Sequence, residues 1–288
     1  MTKRVALRAQ AKLNLWLHVT AREESGYHTI ETLFHRIELA DDVVVTLAPL
    51  GERIVLCSED VGPAHENLAY RAAQLYCGTL DWATGFRIEI TKRIPASGGL
   101  GGGSADAAAT LLALNAMSPR TRNETELAEL GSQLGADVPF LLTDAPNALA
   151  WGRGDRMLKL PALPQRHVAL VVPSFGISTA EAYQSLLPGH HRVRQIAISD
   201  LTDWTAIARL AHNDLSRSLF VRRHQQLSEA VTALRAAGAV IAEMTGSGSV
   251  LFGIFDAEPD AAALEQATGC KVLLTRTAPS VETLRRLD

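Results

Sequence analysis

The chain has little cysteine, and its cysteines are far apart. Cys57, Cys77 and Cys270 are the three cysteines among 288 residues, and no pair has a CxxC spacing. Zinc sites and disulfide frameworks need clustered or regularly spaced cysteines, so the sequence indicates neither. The nine histidines show no HExxH or other ligand spacing, and we therefore expect no structural metal. This cysteine usage is typical of a reducing, cytoplasmic compartment.

Long apolar runs and an excess of basic residues are also absent. No stretch approaches the roughly 18 consecutive apolar residues of a membrane-spanning helix. Arg8 and Lys12 interrupt the apolar segment that an N-terminal signal peptide would require. The formal net charge is −3, whereas a nucleic-acid-binding protein usually carries a basic excess on one face. We therefore expect a soluble protein with neither a membrane nor a nucleic-acid partner.

The composition that remains is that of an ordinary globular protein. Hydrophobic residues make up 47% and charged residues 20% of the chain, which is enough to form a sizeable core. At about 150 residues per domain, 288 residues predict one large domain or two ordinary ones. Residues 152–166 are rich in Gly, Pro, Arg and Lys and are the best candidate for a boundary. The predicted domains are residues 1–160 and 161–288.

Apolar periodicity predicts strands and helices in both halves, which is typical of an α+β fold. In the first half the predicted strands are 4–8, 13–19, 37–47, 52–57 and 86–90, and the predicted helices are 66–77, an alanine-rich segment from 105 onward, and 124–134. In the second half the predicted strands are 167–172, 239–244, 249–255 and 271–275, and the predicted helices are 179–186, 221–237 and 259–267. Lys12 and Asn14 then lie at or between strand ends.

A glycine-rich loop separates the predicted strand 86–90 from the alanine-rich helix. Five of the six residues 98–103 are glycine, and glycine costs conformational entropy on folding, so this backbone is expected to approach a ligand closely. Backbone N–H groups at a helix start bind anions, most often phosphate. The loop matches neither GxxxxGK[ST] nor GxGxxG. Ser104 is the predicted N-cap, with Gly103 and Asp106 as alternatives. A flexible connector or a tight turn is the alternative interpretation of the loop.

The segment Pro95–Ala108, PASGGLGGGSADAA, resembles the phosphate-binding motif of the GHMP kinase family in its triple-glycine form. The resemblance runs nearly end to end, through AKLNL at 11–15, GYH at 26–28, LGADVP at 134–139 and MTGSG at 244–248. It implies a two-domain GHMP kinase fold, with an N-terminal domain like the second domain of ribosomal protein S5 and a C-terminal ferredoxin-like domain. The substrate is then expected in the cleft between them.

The resemblance also implies a reaction, in which the γ-phosphate of ATP moves directly to a hydroxyl group. ATP and Mg²⁺ are the implied cofactors. Because GYH and Tyr183 resemble a cytosine-binding site, the implied small-molecule substrate is 4-diphosphocytidyl-2-C-methyl-D-erythritol. Asp137 resembles the family's base, and Lys12 resembles the cation that keeps it ionised. Without the resemblance, Asp137 would be interpreted as a helix cap and Lys12 as a solvated edge charge. The expected assembly is a monomer or homodimer.

Two binding subsites follow from the same resemblance. The nucleotide subsite comprises Asn67, Pro95, Ala96, Ser97, Gly98, Gly99, Leu100, Gly101, Gly102, Gly103, Ser104 and Ala105. The substrate subsite comprises Asn14, Tyr27, His28 and Tyr183. Aromatic rings stack on a base while a histidine hydrogen-bonds its edge, although isolated aromatic residues more often belong to a core.

Two positions depart from the family pattern. Ser25 replaces a common aspartate before GYH, and Ala105 replaces a second serine, which leaves Ser104 as the loop hydroxyl for phosphate or Mg²⁺. The segment Gly246–Gly248 is expected to be a hairpin turn that also faces the site.

Two other functions remain open at this point. One is a GHMP kinase that acts on a sugar, homoserine or a mevalonate-type alcohol. The other is a regulatory or nucleic-acid-binding protein with the same fold. The acidic charge and the presence of both Lys12 and Asp137 argue against the second.

Overall fold

The computed structural model describes residues 3–23, 28–79, 82, 84–186 and 196–287. Its strands are β1 (Arg4–Arg22), β2 (His28–Ala48), β3 (Arg53–Cys57), β4 (Gly85–Thr91), β5 (Asn147–Gly152), β6 (Arg156–Leu160), β7 (His167–Val172), β8 (His212–Asn213), β9 (Ile241–Met244), β10 (Leu251–Phe255), β11 (Lys271–Arg276) and β12 (Arg285–Arg286). Its α-helices are α1 (Leu68–Thr79), α2 (Gly102–Met117), α3 (Glu124–Ser132), α4 (Val138–Leu142), α5 (Thr179–Gln184), α6 (Trp204–Leu210), α7 (Leu219–Arg222), α8 (Gln225–Ala236) and α9 (Ala261–Thr268).

The first sheet is built around the long antiparallel pair β1 and β2. Its strand order is β12-β1-β2-β4-β3, and β5, followed by β6, pairs with another part of β2. The two strands predicted at 4–8 and 13–19 are a single strand, so the prediction that Lys12 and Asn14 lie at strand ends is wrong. The register of β1 against β2 shifts between Gln10 and Lys12 and again between Asn14 and Trp16. Such bulges re-aim side chains without ending the strand.

Helices α1 and α2 cover one face of this sheet. Of the residues of α2, Ala105 to Leu111 are all buried, together with Ala113, Leu114 and Met117. Alanine side chains allow neighbouring elements to approach a helix closely, and a helix that is apolar all round belongs inside a protein. The helix therefore holds the preceding glycine loop against the body of the first sheet.

The second sheet is antiparallel and has the order β11-β7-β10-β9. Its strands and the two helices that contact them follow one another as β7-α8-β9-β10-α9-β11, the β-α-β-β-α-β arrangement of a ferredoxin-like fold, with α5, α6, β8 and α7 inserted between β7 and α8. Gly246, Ser247 and Gly248 lie in the turn between β9 and β10, as predicted. Both sheets carry helices on a face, which confirms the α+β class.

Some sequence boundaries were wrong. The segment predicted as one helix at 221–237 forms α7 and α8, with Arg223 and His224 between them. Within 152–166, residues 156–160 form β6 and pair with β5, because Gly152 and Gly154 adopt positive φ angles and turn the chain back on itself. The domain division at residue 160 stays a prediction.

His35 is a buried group that should make folding pH-dependent. Burial lowers the pKa of His35 to about 4, although the backbone oxygen of Arg36 acts in the opposite direction. The pKa of His35 is lower in the folded state than in the unfolded state. Its contribution to the free energy of unfolding is therefore fully present above about pH 6.5 and is lost as the pH falls towards 4. One pKa unit corresponds to about 1.4 kcal/mol, so roughly 3 kcal/mol should be lost across this window. Urea unfolding at pH 7 and pH 4.5 measures the loss, which His35→Gln should reduce; an equal loss in the variant would contradict the assignment.

Candidate active site

An open cavity of about 1620 Å³ lies where the glycine loop faces the turn between β9 and β10. The start of α4, the N-terminus of α1 and helix α5 complete its walls. The predicted site residues that line it are Lys12, Asn14, His28, Asn67, the loop from Pro95 to Ser104, Asp137 and Tyr183. Ala105 does not line it: this residue is 2% exposed and its N–H donates to the Gly101 oxygen. Its assignment to the nucleotide subsite stays a prediction. Tyr27 lies outside the described residues.

Lys12 and Asp137 form an ion pair at the bottom of this cavity. Lys12 Nζ lies 3.3 Å from Asp137 Oδ2, and the side chains are 3% and 30% exposed, respectively. Asp137 occupies the N-cap position of α4 but accepts no capping hydrogen bond with its side chain. Interpreting it as a structural cap is therefore wrong, because the carboxylate faces a lysine and the cavity instead.

Asn14 orients Lys12. Its Oδ1 accepts a 2.7 Å hydrogen bond from Lys12 Nζ, and its Nδ2 donates a 2.8 Å bond to Thr32 Oγ1. Thr245 Oγ1 accepts a further bond from the Asn14 backbone N–H at 3.2 Å. Both ends of the Asn14 amide are thus engaged within the protein, so a direct substrate contact by Asn14 remains a prediction.

The glycine loop leads directly into α2. The helix begins at Gly102, and its N-cap is Gly101, which has φ 74°. The predictions of Ser104, Gly103 or Asp106 as N-cap are wrong, because the left-handed conformation that Gly101 adopts favours glycine. The first N–H groups of a helix have no intrahelical acceptor and carry partial positive charge. The loop therefore presents an anion site to the cavity.

The order of residues in the loop relates this anion site to the rest of the cavity. A methyl group at Gly101 would lie 3.1 Å from Lys12 Cε and 3.6 Å from Asp137 Oδ2. At Gly103 it would instead lie 3.6 Å from Leu68 Cδ1. The start of α2 therefore runs from the ion pair towards the N-terminus of α1. There Asn67 Oδ1 accepts the N–H of Ala69, so Asn67 also caps α1.

A buried charge cluster beside the loop was missed by sequence reasoning. Lys92 Nζ donates to Asp41 Oδ2 and, at 2.8 Å, to Asp106 Oδ2. Burial raises the pKa of Asp106 to about 7; the Lys92 charge opposes this and Asp41 adds to it. Asp41 Oδ1 also accepts the N–H groups of Arg93 and Ile94. This cluster anchors the chain that enters the loop to the first turns of α2. Of its three members only Asp106 lies in a motif of the sequence, the segment Pro95–Ala108.

His28 and Tyr183 form the other end of the cavity. Their rings are stacked, with centroids 4.9 Å apart. Burial, followed by the charge of Arg22, lowers the pKa of His28, which favours the neutral ring. Burial raises the pKa of Tyr183 to about 12, and the Asp137 charge adds to this rise.

Two absences hold for the described residues. None of their histidine, cysteine, aspartate and glutamate side chains form a group of three that would hold a metal ion. None of the helices in those segments is long and apolar enough to cross a membrane.

The fold, the loop and the ion pair define a class of protein. Comparison with protein-family models and with known relatives shows that the chain belongs to the GHMP kinase family. The model of the GHMP kinases N terminal domain matches residues 67–144, and that of the GHMP kinases C terminal matches residues 197–271. Its relatives belong to one particular branch of this family. A 4-diphosphocytidyl-2-C-methyl-D-erythritol kinase of Pelotomaculum thermopropionicum is 39% identical, covering 93% of this chain and 96% of that protein. Its counterpart in Geobacter metallireducens is 38% identical, covering 92% and 94%.

Solved structures agree with this placement. A crystal structure of 4-(cytidine 5'-diphospho)-2C-methyl-D-erythritol kinase superposes with a TM-score of 0.78 at 36% identity, covering 95% of this chain and 99% of the other. Homoserine kinase from Cytophaga hutchinsonii shares the fold, with a TM-score of 0.70 at 18% identity, covering 99% and 97%. The two-domain GHMP kinase fold expected from the sequence is confirmed.

Proposed function

We propose that the protein phosphorylates the 2-hydroxyl of 4-diphosphocytidyl-2-C-methyl-D-erythritol with ATP, in the methylerythritol phosphate route to isoprenoid precursors. The observation that carries the chemistry is the Lys12–Asp137 pair, 3.3 Å apart and beside Gly101 of the loop. A proton acceptor, a cation and a phosphate cradle are the parts that direct phosphoryl transfer needs.

In this proposal each group has one task. The N–H groups at the start of α2 bind the terminal phosphates of ATP. Asp137 accepts the proton of the attacking hydroxyl as its oxygen bonds to the γ-phosphorus. Lys12, oriented by Asn14, keeps Asp137 ionised and offsets the negative charge that spreads over the transferring group. ADP leaves with the electrons of the broken P–O bond, and no phosphorylated enzyme forms.

Mg²⁺ enters this scheme with ATP as part of the substrate. In kinases Mg²⁺ usually keeps several waters and is held by the substrate phosphates together with one or two carboxylates. Ser104 lines the cavity in the first turn of α2, and its hydroxyl is the side-chain oxygen that the resemblance assigns to phosphate or Mg²⁺. A cytoplasmic location, and a monomeric or homodimeric state, remain predictions.

The stack of His28 and Tyr183 is assigned to the cytosine end of the substrate. Tyr183→Ala removes the ring and should raise KM for the cytidine substrate about ten- to hundredfold, since stacking on a base is worth about 1–3 kcal/mol. KM for ATP should change by less than about twofold. Tyr183→Phe keeps the ring and serves as the matched control. Steady-state kinetics measure both KM values. A change in KM for ATP alone would contradict the assignment of Tyr183 to the cytosine end of the site. Tyr27 carries the same prediction from the sequence.

The overall function is tested by measuring ADP release with ATP, Mg²⁺ and four alcohols. These are the cytidine diphosphate methylerythritol, homoserine, mevalonate and galactose. Turnover with the cytidine compound alone is expected. Turnover with another alcohol would keep the kinase chemistry and discard the substrate. No turnover with any of them, together with a thermal shift by RNA and none by ATP, would instead favour a regulatory protein.

A further inference from the structure

Arg36 is a buried cation for which the proposed chemistry gives no role. It lies on β2, is 3% exposed, and has no carboxylate partner among the described residues. Burial lowers its pKa to about 10, so it stays charged at pH 7. Its guanidinium instead donates to three backbone oxygens, those of Ala145 at 3.3 Å, Phe140 at 3.1 Å and Thr143 at 3.0 Å.

These acceptors belong to the C-terminal end of α4 and the turn that follows it. Carbonyl groups at a helix end lack intrahelical partners and carry partial negative charge, so a cation there both caps the helix and balances its dipole. The backbone N–H of Arg36 also donates to the Pro146 oxygen at 2.7 Å. Arg36 thus holds the whole exit of α4 against β2.

The opposite end of the same short helix carries Asp137. Helix α4 has five residues, which corresponds to about 7 Å of length. A helix this short is not stable by itself and depends on its contacts for its position. A shift at its C-terminal end is therefore transmitted to Asp137 rather than absorbed.

Stacked rings connect Arg36 to Lys12 as well. The Arg36 guanidinium lies 5.1 Å from the centroid of the Phe140 ring, and Lys12 Nζ lies 5.5 Å from that of Phe34. The two rings are stacked between these cations, with centroids 4.9 Å apart and an angle of 16° between their planes. Phe140 belongs to α4 and Phe34 to β2. Lys12 therefore rests directly on a column of contacts that ends at Arg36, and Asp137 is joined to the same column through α4, which carries Phe140.

We infer that Arg36 is a positioning residue, which holds Asp137 at its distance from Lys12 through α4 and the Phe140–Phe34 stack. Burying a cation without a carboxylate costs stability that an apolar side chain of similar volume would not. A role in geometry, rather than in stability, accounts for its presence. The inference rests on the proposed function, because it takes Asp137 to be the base.

The test compares Arg36→Met and Arg36→Lys in the wild-type and Asp137→Asn backgrounds. Misplacement of a reacting group by about 1 Å costs about a hundredfold in rate. Arg36→Met should therefore lower kcat about ten- to hundredfold, with KM for ATP nearly unchanged. Arg36→Lys keeps the charge but cannot donate to all three carbonyl groups in the same geometry. Its kcat should therefore lie between that of Arg36→Met and that of the wild type. In the Asp137→Asn background, either substitution of Arg36 should change the single-turnover rate by less than about twofold, because the base that Arg36 positions is already absent.

A stability control separates positioning from general loosening. Leu234 is fully buried in α8, in a different core cluster from Arg36's neighbours, so Leu234→Ala should lower Tm without a comparable loss of kcat. An unchanged kcat in Arg36→Met, or the same factor lost in both backgrounds, would overturn the inference. If Arg36→Met does not fold, Arg36→Lys carries the same comparison. If Asp137→Asn alone leaves turnover intact, the base assignment fails, and that result is distinct from a failure of Arg36.

Discussion

Asp137→Asn should lower kcat by about two to four orders of magnitude, because the amide cannot accept the proton of the attacking hydroxyl. The substitution preserves size, and Asp137 makes no capping hydrogen bond with its side chain. Helix α4 should therefore form as before. KM for ATP should change by less than about threefold, since the phosphates are assigned to the backbone of the loop. Coupled measurement of ADP release, with binding of ATP by calorimetry, gives both quantities.

The matched control is Asp144→Asn, just beyond the other end of α4. The Asp144 side chain is 76% exposed and pairs with Lys159 on the surface, so this variant should retain wild-type turnover. Exposed ion pairs contribute little, typically about 0–1 kcal/mol. Loss of turnover in both variants would point to disruption of the α4 region as a whole. Full turnover in Asp137→Asn would show that Asp137 is not the base. The proposed reaction would then have a phosphate-binding loop but no identified proton acceptor.

The pairing of Lys12 with Asp137 could be predicted because both residues lie in short motifs. AKLNL contains Lys12 and LGADVP contains Asp137, and the structure brings these distant segments to 3.3 Å. Arg36 lies in no such motif. The positioning role proposed for Arg36 depends on its hydrogen bonds to carbonyl groups at the end of α4 and on the Phe34–Phe140 stack. Both exist only in the folded chain. Lys92 and Asp41 escaped prediction for the same reason, whereas Asp106 lies in the segment Pro95–Ala108 but its contact with Lys92 depends on the folded chain.

The errors in local structure have a common physical cause. Ser104 is a favourable N-cap residue by type, yet α2 starts earlier because Gly101 supplies the positive φ angle that turns the chain into the helix. Lys12 and Asn14 are polar residues whose place between two apolar segments predicts strand ends. They lie inside β1 because the ion pair and the Asn14 hydrogen bonds satisfy their polar groups. In both places tertiary contacts outweigh local preference, and both places are in the candidate site.

Gly99→Ala should damage the site through the contact between the loop and the turn after β9. Gly99 has φ +76°, and a methyl group on it would lie 2.1 Å from the Thr245 backbone oxygen. The left-handed conformation alone costs a residue with a side chain about 1–2 kcal/mol. The clash adds to this cost, because backbone rather than a flexible side chain must move. Tm should fall, and KM for ATP should rise at least about tenfold as the N–H groups of the loop lose their arrangement.

The same substitution should also lower kcat, which distinguishes it from a simple binding defect. Thr245 accepts the Asn14 N–H, and Asn14 in turn orients Lys12, so displacing Thr245 disturbs the ion pair as well as the phosphate cradle. Gly78→Ala is the control: it lies in α1, and a methyl group there meets nothing within 4 Å. This change should be neutral or stabilising by up to about 1 kcal/mol. Wild-type Tm and kinetics in Gly99→Ala would mean that the loop and turn separate without cost, and the route from Thr245 through Asn14 to Lys12 would then carry no geometric constraint.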